Sequence, residues 1–406
     1  MAPRPTEVEA EAPPPHGSSA PLKKPPAGLR KLAAAGIVVA GLALLVAIYA
    51  LGLTPTQVTD RDYIQYWAAG RQLAHHANPY DVAAIFALEQ QAGMQADDPK
   101  VSVSPPVALE LALPLGWMSA KPGLIVWLVC EMAAVLISIW LLWRLCGRPD
   151  TRLHLLGLAF APVVACQMAG QIGAFFLLCL ALFLALHDSR PWLAGAVLMP
   201  FALKPHLFVP FAIALLIWCL VRRKLAIAAG AACALAASCA ASLAVDPHAW
   251  AQYWGLTSSI SMTGWQVPTV AGALRHWIDP SARWIGFLPE AAGCAWAAWY
   301  AWKRRNRWDW MRDGQLVMLV SIACAPYSWI SDQCVLLAAA LAVLLTARSR
   351  FPLFLFLLID SAMLAELFLL PKMTSNWFVW TAPAWLAWYL YATRGKRMPI
   401  SSAPAG

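Results

Sequence analysis

The chain has 406 residues, of which 60% are hydrophobic and only 13% are charged, with a formal net charge of +9. A soluble domain is about half apolar and about a quarter charged, so this composition excludes a soluble globular protein. The positive charge lies mostly in Lys and Arg clusters beside apolar runs, which is typical of cytoplasmic membrane loops and argues against a nucleic-acid partner. Composition therefore predicts a multi-pass membrane protein in contact with lipids.

The two ends of the chain differ from the rest. Residues 1–29 are rich in proline, alanine and charge, and residues 398–406 are similar, so both are expected to be disordered tails. The first apolar run, 32–53, is longer than the apolar core of about 7–15 residues in a signal peptide, and we expect it to remain as a membrane anchor. Residues 30–397 are predicted to form one transmembrane domain.

Apolar runs between the tails predict an all-α bundle of about twelve membrane spans. Several runs are shorter than the ~20 residues needed to cross alone, and 191–203, the weakest, indicates a half-helix surrounded by protein. The predicted spans are 32–53, 122–146, 153–170, 171–187, 191–203, 206–221, 225–245, 284–302, 313–328, 333–347, 351–370 and 377–393.

Basic residues orient these spans. With twelve spans, the Lys and Arg clusters all fall on one side, which the positive-inside rule assigns to the cytoplasm. Both termini are then cytoplasmic, the protein lies in the cell membrane, and residues 54–121 form the first extracytoplasmic loop. The clusters are Lys23/Lys24/Arg30/Lys31, Arg144/Arg148/Arg152, Arg222/Arg223/Lys224, Lys303/Arg304/Arg305/Arg307, Arg348/Arg350 and Arg394/Lys396/Arg397.

The first loop, residues 54–121, is expected to lie along the membrane surface. Segments 62–75 and 81–94 have the amphipathic pattern of short interfacial helices. The apolar segments 105–118 and 268–278 are too short to cross and are placed in the interface plane as well.

Polar residues are densest in this loop, at positions 60–81. Asp60 and Asp62 follow the first span, and a carboxylate near an apolar wall can act as a general base. Solvated loop acids or helix caps would show the same spacing. Tyr66 and Trp67 fit either interface anchoring or contact with a substrate. On a helix that begins near Asp62, Tyr66 lies one turn further along and on the same face. Asn78, Pro79, Tyr80 and Asp81 predict a turn that starts a helix, with Asp81 as its cap.

Four further polar residues lie in short turns predicted to face the same side. Lys204 is set in an apolar run, where an ammonium is costly, and Pro205 breaks the helix there. It can bind a phosphate together with His206, or it can be a lysine extending to the interface. Gln171 fits a tight helical hairpin, and Asp332 fits a helix cap. No metal-binding spacing is found, and these residues indicate no cofactor.

These residues resemble a known family. The first-loop pattern looks like the signature of glycosyltransferase family 87, a family similar to polyprenyl-phosphate-mannose-dependent mannosyltransferases with the C-type glycosyltransferase fold. Later segments agree in order: Ser104-Pro105-Pro106, Gly170-Gln171 and Leu203-Lys204-Pro205. The first-loop residues that carry the resemblance are Asp62, Tyr63, Tyr66, Trp67, Gly70 and Arg71, followed by Asn78, Pro79, Tyr80 and Asp81.

The resemblance implies a reaction and roles. A hexose would pass, with inversion, from a polyprenyl-phosphate sugar to a hydroxyl of a lipid or glycan acceptor. Asp62 aligns with the family's presumed base, Asp60 ranks second, and Lys204 with His206 would neutralise the phosphate. The other residues expected to bind substrate are Tyr66, Trp67, Asn78, Tyr80, Asp81, Gln171 and Asp332.

Two other interpretations stay open at this point. A lipid or polysaccharide transporter would carry polar residues along its spans, near the middle of the membrane. Glu131 and Asp360 lie inside predicted spans and are compatible with that interpretation. A non-catalytic scaffold has no need for first-loop carboxylates beside a Lys-Pro turn.

Overall fold

The structure, a computed structural model, describes residues 54–259, 267–347, 349–370 and 376–394. The predicted tails, 1–29 and 398–406, and the predicted first span, 32–53, lie outside these residues. Within the described ranges every regular element is helical and no strand occurs. The prediction of an all-α fold is therefore confirmed.

The α-helices of the described residues range from 5 to 26 residues in length. In chain order they are α1 Pro55–Thr59, α2 Tyr63–Ala74, α3 Val82–Gln91, α4 Leu109–Gly116, α5 Ala120–Leu145, α6 Ala161–Ala169, α7 Gly173–Leu186, α8 Pro191–Ala196, α9 Val209–Val221, α10 Leu225–Val245, α11 Ala249–Ser259, α12 Val270–Ile278, α13 Leu288–Arg304, α14 Gln315–Ala323, α15 Leu337–Leu344, α16 Phe351–Leu369 and α17 Thr381–Thr393. A π-helical turn, Trp310–Gly314, precedes α14, and 3-10 turns occur at Pro106–Ala108, Leu153–Leu158, Met199–Leu203, Pro205–Leu207, Arg283–Phe287, Ile330–Leu336 and Asn376–Trp380.

Three of these helices are long and apolar enough to cross a membrane, namely α5 with 26 residues, α10 with 21 and α16 with 19. Five shorter apolar helical segments accompany them, at Leu153–Ala169, Gly173–Leu186, Pro191–Leu203, Val209–Val221 and Ile330–Leu344. The protein is thus a helical membrane protein with three candidate spans in its described part. The count of twelve spans stays a prediction.

Proline explains why the predicted span 191–203 is divided. A proline inside a helix has no N–H for the ladder and clashes with the preceding turn. The predicted 191–203 span becomes α8 followed by a 3-10 turn that contains Pro200, and Pro205 starts a second 3-10 turn. The chain therefore reaches Lys204 in irregular backbone between two helical segments.

Close packing of α2 against α4 shapes the first loop. A Cβ at Gly70 would collide with the main chain of α4, and one at Gly116 would collide with the carbonyl oxygen of Gly70. The Trp67 indole donates to the Met118 carbonyl oxygen at 2.9 Å, and Arg71 donates to the Gly116 carbonyl oxygen at 2.9 Å. The predicted helices 62–75 and 81–94 are confirmed as α2 and α3; their position at a membrane surface stays a prediction.

The hairpin between α6 and α7 rests on the start of α2. Gly170 ends α6 with φ +65°, a left-handed conformation that a glycine adopts at little cost. A Cβ there would lie 2.7 Å from the Cβ of Tyr63. The Trp127 indole of α5 donates to the Gly170 carbonyl oxygen at 3.0 Å. These contacts bring the residue after Gly170 to the beginning of α2.

Two of the carboxylates inside predicted spans, Asp360 and Glu131, bond to other parts of the fold. Asp360 of α16 accepts a hydrogen bond at 2.8 Å from the main-chain N–H of Ala161, which begins α6 and would otherwise be unsatisfied. Glu131 of α5 accepts one at 2.9 Å from the Gln167 side chain. Both carboxylates therefore take part in packing around α6.

Candidate active site in the first loop

Asp62 and Tyr66 lie on one face of α2. Asp62 occupies the position before the first helical residue, and Tyr66 follows one turn later. The amide of Gln171 bridges them, since its Nε2 donates to Asp62 Oδ2 at 2.7 Å while its Oε1 accepts from the Tyr66 hydroxyl at 2.9 Å. The expectation that these two side chains share a face is confirmed.

Lys204 and Asp332 extend this network into the interior. The Lys204 amine donates to Asp332 Oδ1 at 2.7 Å and to Gln171 Oε1 at 3.2 Å. Asp332 is 0% exposed and Lys204 7%. Asp332 Oδ2 also accepts the Trp329 N–H at 2.9 Å, so the carboxylate caps the following turn as well. Asp62, Gln171, Lys204 and Asp332 together are called the central cluster below.

Geometry makes this buried ion pair tolerable. Removing two charges from water costs several kcal/mol for each ion, so a buried pair persists when close contact and further hydrogen bonds compensate. Lys204 has two acceptors in the central cluster, and Asp332 has two donors. The cluster therefore combines a half-buried carboxylate, a neutral amide and a matched charge pair.

Tyr66 serves as a neutral donor beside the cluster. Its ring stacks on that of Trp127, with centroids 5.5 Å apart and planes at 24°. Burial raises the pKa of the Tyr66 hydroxyl well above its usual range, and the Asp62 and Asp332 carboxylates raise that pKa further. The hydroxyl stays protonated and holds Gln171 in one orientation.

His206 lies next to the cluster without joining it. Its ring meets that of Tyr327 edge-on, with centroids 5.6 Å apart at 80°. Burial and the nearby Lys204 charge lower the pKa of His206 to about 4, while Asp332 opposes them. Among the described residues, its buried Nε2 has no hydrogen-bond partner. At neutral pH His206 is therefore an uncharged imidazole.

Asn78, Tyr80 and Asp81 bond within the first loop. Asn78 Oδ1 accepts the Tyr80 N–H at 2.9 Å, and the Tyr80 hydroxyl donates to the Ser104 carbonyl oxygen at 2.9 Å. Asp81 Oδ1 accepts from the second and third N–H groups of α3 at 3.0 and 3.1 Å, which confirms the predicted cap. Their expected contact with substrate stays a prediction, as does that of Trp67.

Asp60 lies outside the central cluster but close to a residue that sequence reasoning missed. Its side chain is exposed at the end of α1, and its main-chain carbonyl oxygen accepts from the Lys100 amine. The Lys100 N–H in turn donates to Glu89 Oε2 at 3.0 Å. No motif surrounds Lys100, so the sequence offers no signal for it. Trp127 and Tyr327 were missed for the same reason.

The site offers the chemistry of a carboxylate, Asp62, and of a cation, Lys204. Asp62 can accept a proton, and the Lys204 charge lies within the same network. In the described part of the chain, no group of three or more His, Cys, Asp or Glu side chains is placed to hold a metal ion. The site can thus combine proton abstraction by Asp62 with binding of an anion by Lys204.

Comparison with known proteins defines the class. The chain matches the profile of glycosyltransferase family 87 over residues 103–326, more than half its length. This match and the helical, membrane-spanning architecture define a membrane glycosyltransferase. The chain belongs to glycosyltransferase family 87, as its motifs predicted. The matched region includes Gln171, Lys204 and His206, while Asp62 and Asp332 flank it. No curated protein and no solved structure matches the chain.

Proposed function

We propose that this protein transfers a mannose-like hexose from a polyprenyl-phosphate sugar to a hydroxyl group of a lipid or glycan acceptor, with inversion at the anomeric carbon. The reaction takes place on the extracytoplasmic face of the cell membrane, where residues 54–121 lie. The observation that carries the proposal is the central cluster, in which a first-loop carboxylate and a buried lysine share one amide.

Asp62 is the general base in this proposal. Its Oδ2 is held by the Gln171 amide, and Oδ1 takes no part in that bond. The acceptor hydroxyl gives its proton to the carboxylate as its oxygen attacks the anomeric carbon. The bond between that carbon and the phosphate oxygen breaks, and the polyprenyl phosphate leaves with the electron pair. Tyr66 acts indirectly, by orienting Gln171.

Lys204 supports the departure of the phosphate. Its amine is fixed by Asp332 and Gln171, so little reorganisation is needed when negative charge develops on the leaving group. His206, being uncharged, contributes a hydrogen bond rather than a positive charge through its Nε2, which has no partner among the described residues. Side chains alone can serve a monophosphate leaving group, so neither metal nor cofactor is invoked.

The bonds of Asp360 and Glu131 favour an enzyme over a transporter. An ion- or proton-coupled transporter uses carboxylates near the middle of the membrane to bind its cargo. Asp360 is bonded to the N-terminus of α6, and Glu131 to Gln167 of the same helix. The polar groups that converge do so instead around Asp62.

The decisive experiment compares two neighbouring carboxylates. Purified protein is supplied with radiolabelled polyprenyl-phosphate hexoses and lipid or glycan acceptors, and transfer is measured. Asp62→Asn is expected to lower the rate by about 10²–10⁴-fold, the usual effect of removing a general base. The matched control, Asp60→Asn, should cost less than about tenfold. An inactive Asp60 variant with an active Asp62 variant would reverse the assignment, and two fully active variants would remove the first loop from the chemistry.

Topology has its own test. Both termini and the basic turn Arg222–Lys224 are proposed to be cytoplasmic, on the basis of the charge pattern. Cysteine labelling from outside the cell should modify positions in 54–121 and leave that basic turn unmodified. Labelling of the turn from outside would place the site on the opposite face.

A further inference from the structure

Lys100 is a cation of the first loop whose amine lies beside the main chain that leads into the central cluster. Its amine donates to the main-chain carbonyl oxygen of Asp60, two residues before Asp62 in the chain. Two residues span at most about 7 Å of extended main chain, so the amine lies in the neighbourhood of the proposed base. Burial lowers the pKa of Lys100, and the Asp62 and Asp60 carboxylates counteract this effect.

The central cluster carries more negative than positive charge, so a phosphate bound there would need a further cation. The Lys204 amine is already matched by Asp332 at 2.7 Å, and Asp62 adds a second carboxylate to the same network. A phosphate arriving there would meet two carboxylates and one paired lysine. Like charges in a poorly hydrated site repel strongly, so a phosphate needs a further positive group.

Lys100 has the properties of that group. In the described part of the chain, its amine bonds to a neutral carbonyl oxygen and forms no ion pair within 4 Å, so two of its three donors are available. Its main chain is fixed independently of the side chain, because its N–H donates to the buried carboxyl of Glu89 at 3.0 Å. The amine is therefore presented from an anchored segment.

We propose that Lys100 is a phosphate-binding residue of the active site, which together with Lys204 holds the phosphate of the lipid-linked donor beside Asp62. The inference rests on the proposed function, since it assumes a phosphate-bearing lipid as donor. Lys204 approaches from the interior and Lys100 from the first loop, so the phosphate would lie between them.

Binding of decaprenyl monophosphate, with decaprenol as the uncharged probe of equal chain length, tests the inference. The full chain in lipid nanodiscs is titrated with each probe. Lys100→Gln should weaken binding of the monophosphate by about tenfold to a hundredfold, the effect of losing one hydrogen bond to a charged group, and leave decaprenol binding unchanged. Lys100→Arg should retain most of the affinity. Arg283→Gln, which removes an exposed cation far along the chain, is the matched control and should have no effect.

The possible results distinguish an error in the assignment of Lys100 from an error in the proposed donor. If the unmodified protein prefers the monophosphate over decaprenol and Lys100→Gln binds it equally well, the Lys100 assignment is wrong and the proposed donor stands. If the unmodified protein shows no such preference, both are overturned. An equal loss for both probes would mean that Lys100 only supports the loop, which also overturns the assignment. Lys100→Met, of similar length, replaces the glutamine variant if that variant does not fold.

Discussion

The buried pair of Lys204 and Asp332 allows a quantitative prediction. Lys204→Met would leave the Asp332 carboxylate, 0% exposed, without its cation, although the Trp329 N–H still donates to it. Asp332→Asn would leave the Lys204 amine without its counter-charge. The neutral Gln171 Oε1 would still accept a hydrogen bond from it. Either change isolates one buried charge.

The magnitude follows from the geometry of the pair. Breaking a buried ion pair by removing one partner typically costs about 3–5 kcal/mol, because the remaining charge cannot return to water. A separation of 2.7 Å and side-chain exposures of 9% and 0% place this pair in that class. The double variant removes both charges, so we expect it to cost less than the sum of the two single variants, with a coupling energy of about 0.5–3 kcal/mol.

Equilibrium unfolding in mixed detergent micelles, followed by tryptophan fluorescence, measures these free energies. The control is an exposed ion pair of this chain, Lys224 with Asp188, whose charged atoms are 3.6 Å apart and whose side chains are 35% and 76% exposed. Asp188→Asn should cost about 0–1 kcal/mol. Strict additivity of the two buried substitutions, or single effects as small as that of Asp188→Asn, would refute the reasoning.

Two further predictions concern the loops that position the site. Burial raises the pKa of Glu89 from about 4.5 to about 7, so between these values the folded protein holds a proton that the unfolded chain releases. Stability is therefore expected to fall as the pH rises from about 4.5 to about 7, and Glu89→Gln should remove that part of the pH profile of the unfolding midpoint; an unchanged profile would contradict the assignment. Gly170→Ala combines a left-handed φ of +65° with an approach of 2.7 Å to Tyr63, whereas at Gly147, with φ +82°, an added Cβ meets no atom of the described residues within 4 Å. Gly170→Ala should cost about 1–3 kcal/mol more than Gly147→Ala in the same unfolding assay, and equal costs would show that the contact with Tyr63 relaxes freely.

The predictions that the structure confirms at the site were based on local patterns. The shared face of Asp62 and Tyr66 follows from helical spacing alone, and the cap at Asp81 from the preference of short carboxylates for helix starts. Gly170 before Gln171 indicated a tight hairpin, and a left-handed glycine is found there. Such features depend on neighbours a few residues apart, so a single sequence contains them.

Partners far apart in the chain could not be predicted in the same way. Asp332 was expected to cap a turn, and it does, but its bond to Lys204 across 128 positions has no local signal. The sequence pattern does not distinguish Lys100 from other loop lysines, because a lysine in a polar loop is ordinarily solvated. Hydropathy identifies which segments avoid water, and it carries no information about which polar side chains then face each other.

The sequence by itself determined that this is a helical membrane protein, that its polar residues concentrate in a few turns, and that its motifs are those of family 87. These properties follow from composition, hydropathic period and short spacings, which do not depend on how helices pack. Only the tertiary structure decided that Gln171 joins Asp62, 109 positions away, to Lys204, 33 positions away. The physical reason is that helix packing fixes which turns meet. Glycine contacts at Gly70 and Gly170 allow main chains to approach closely, and the buried polar groups brought together there must then satisfy one another.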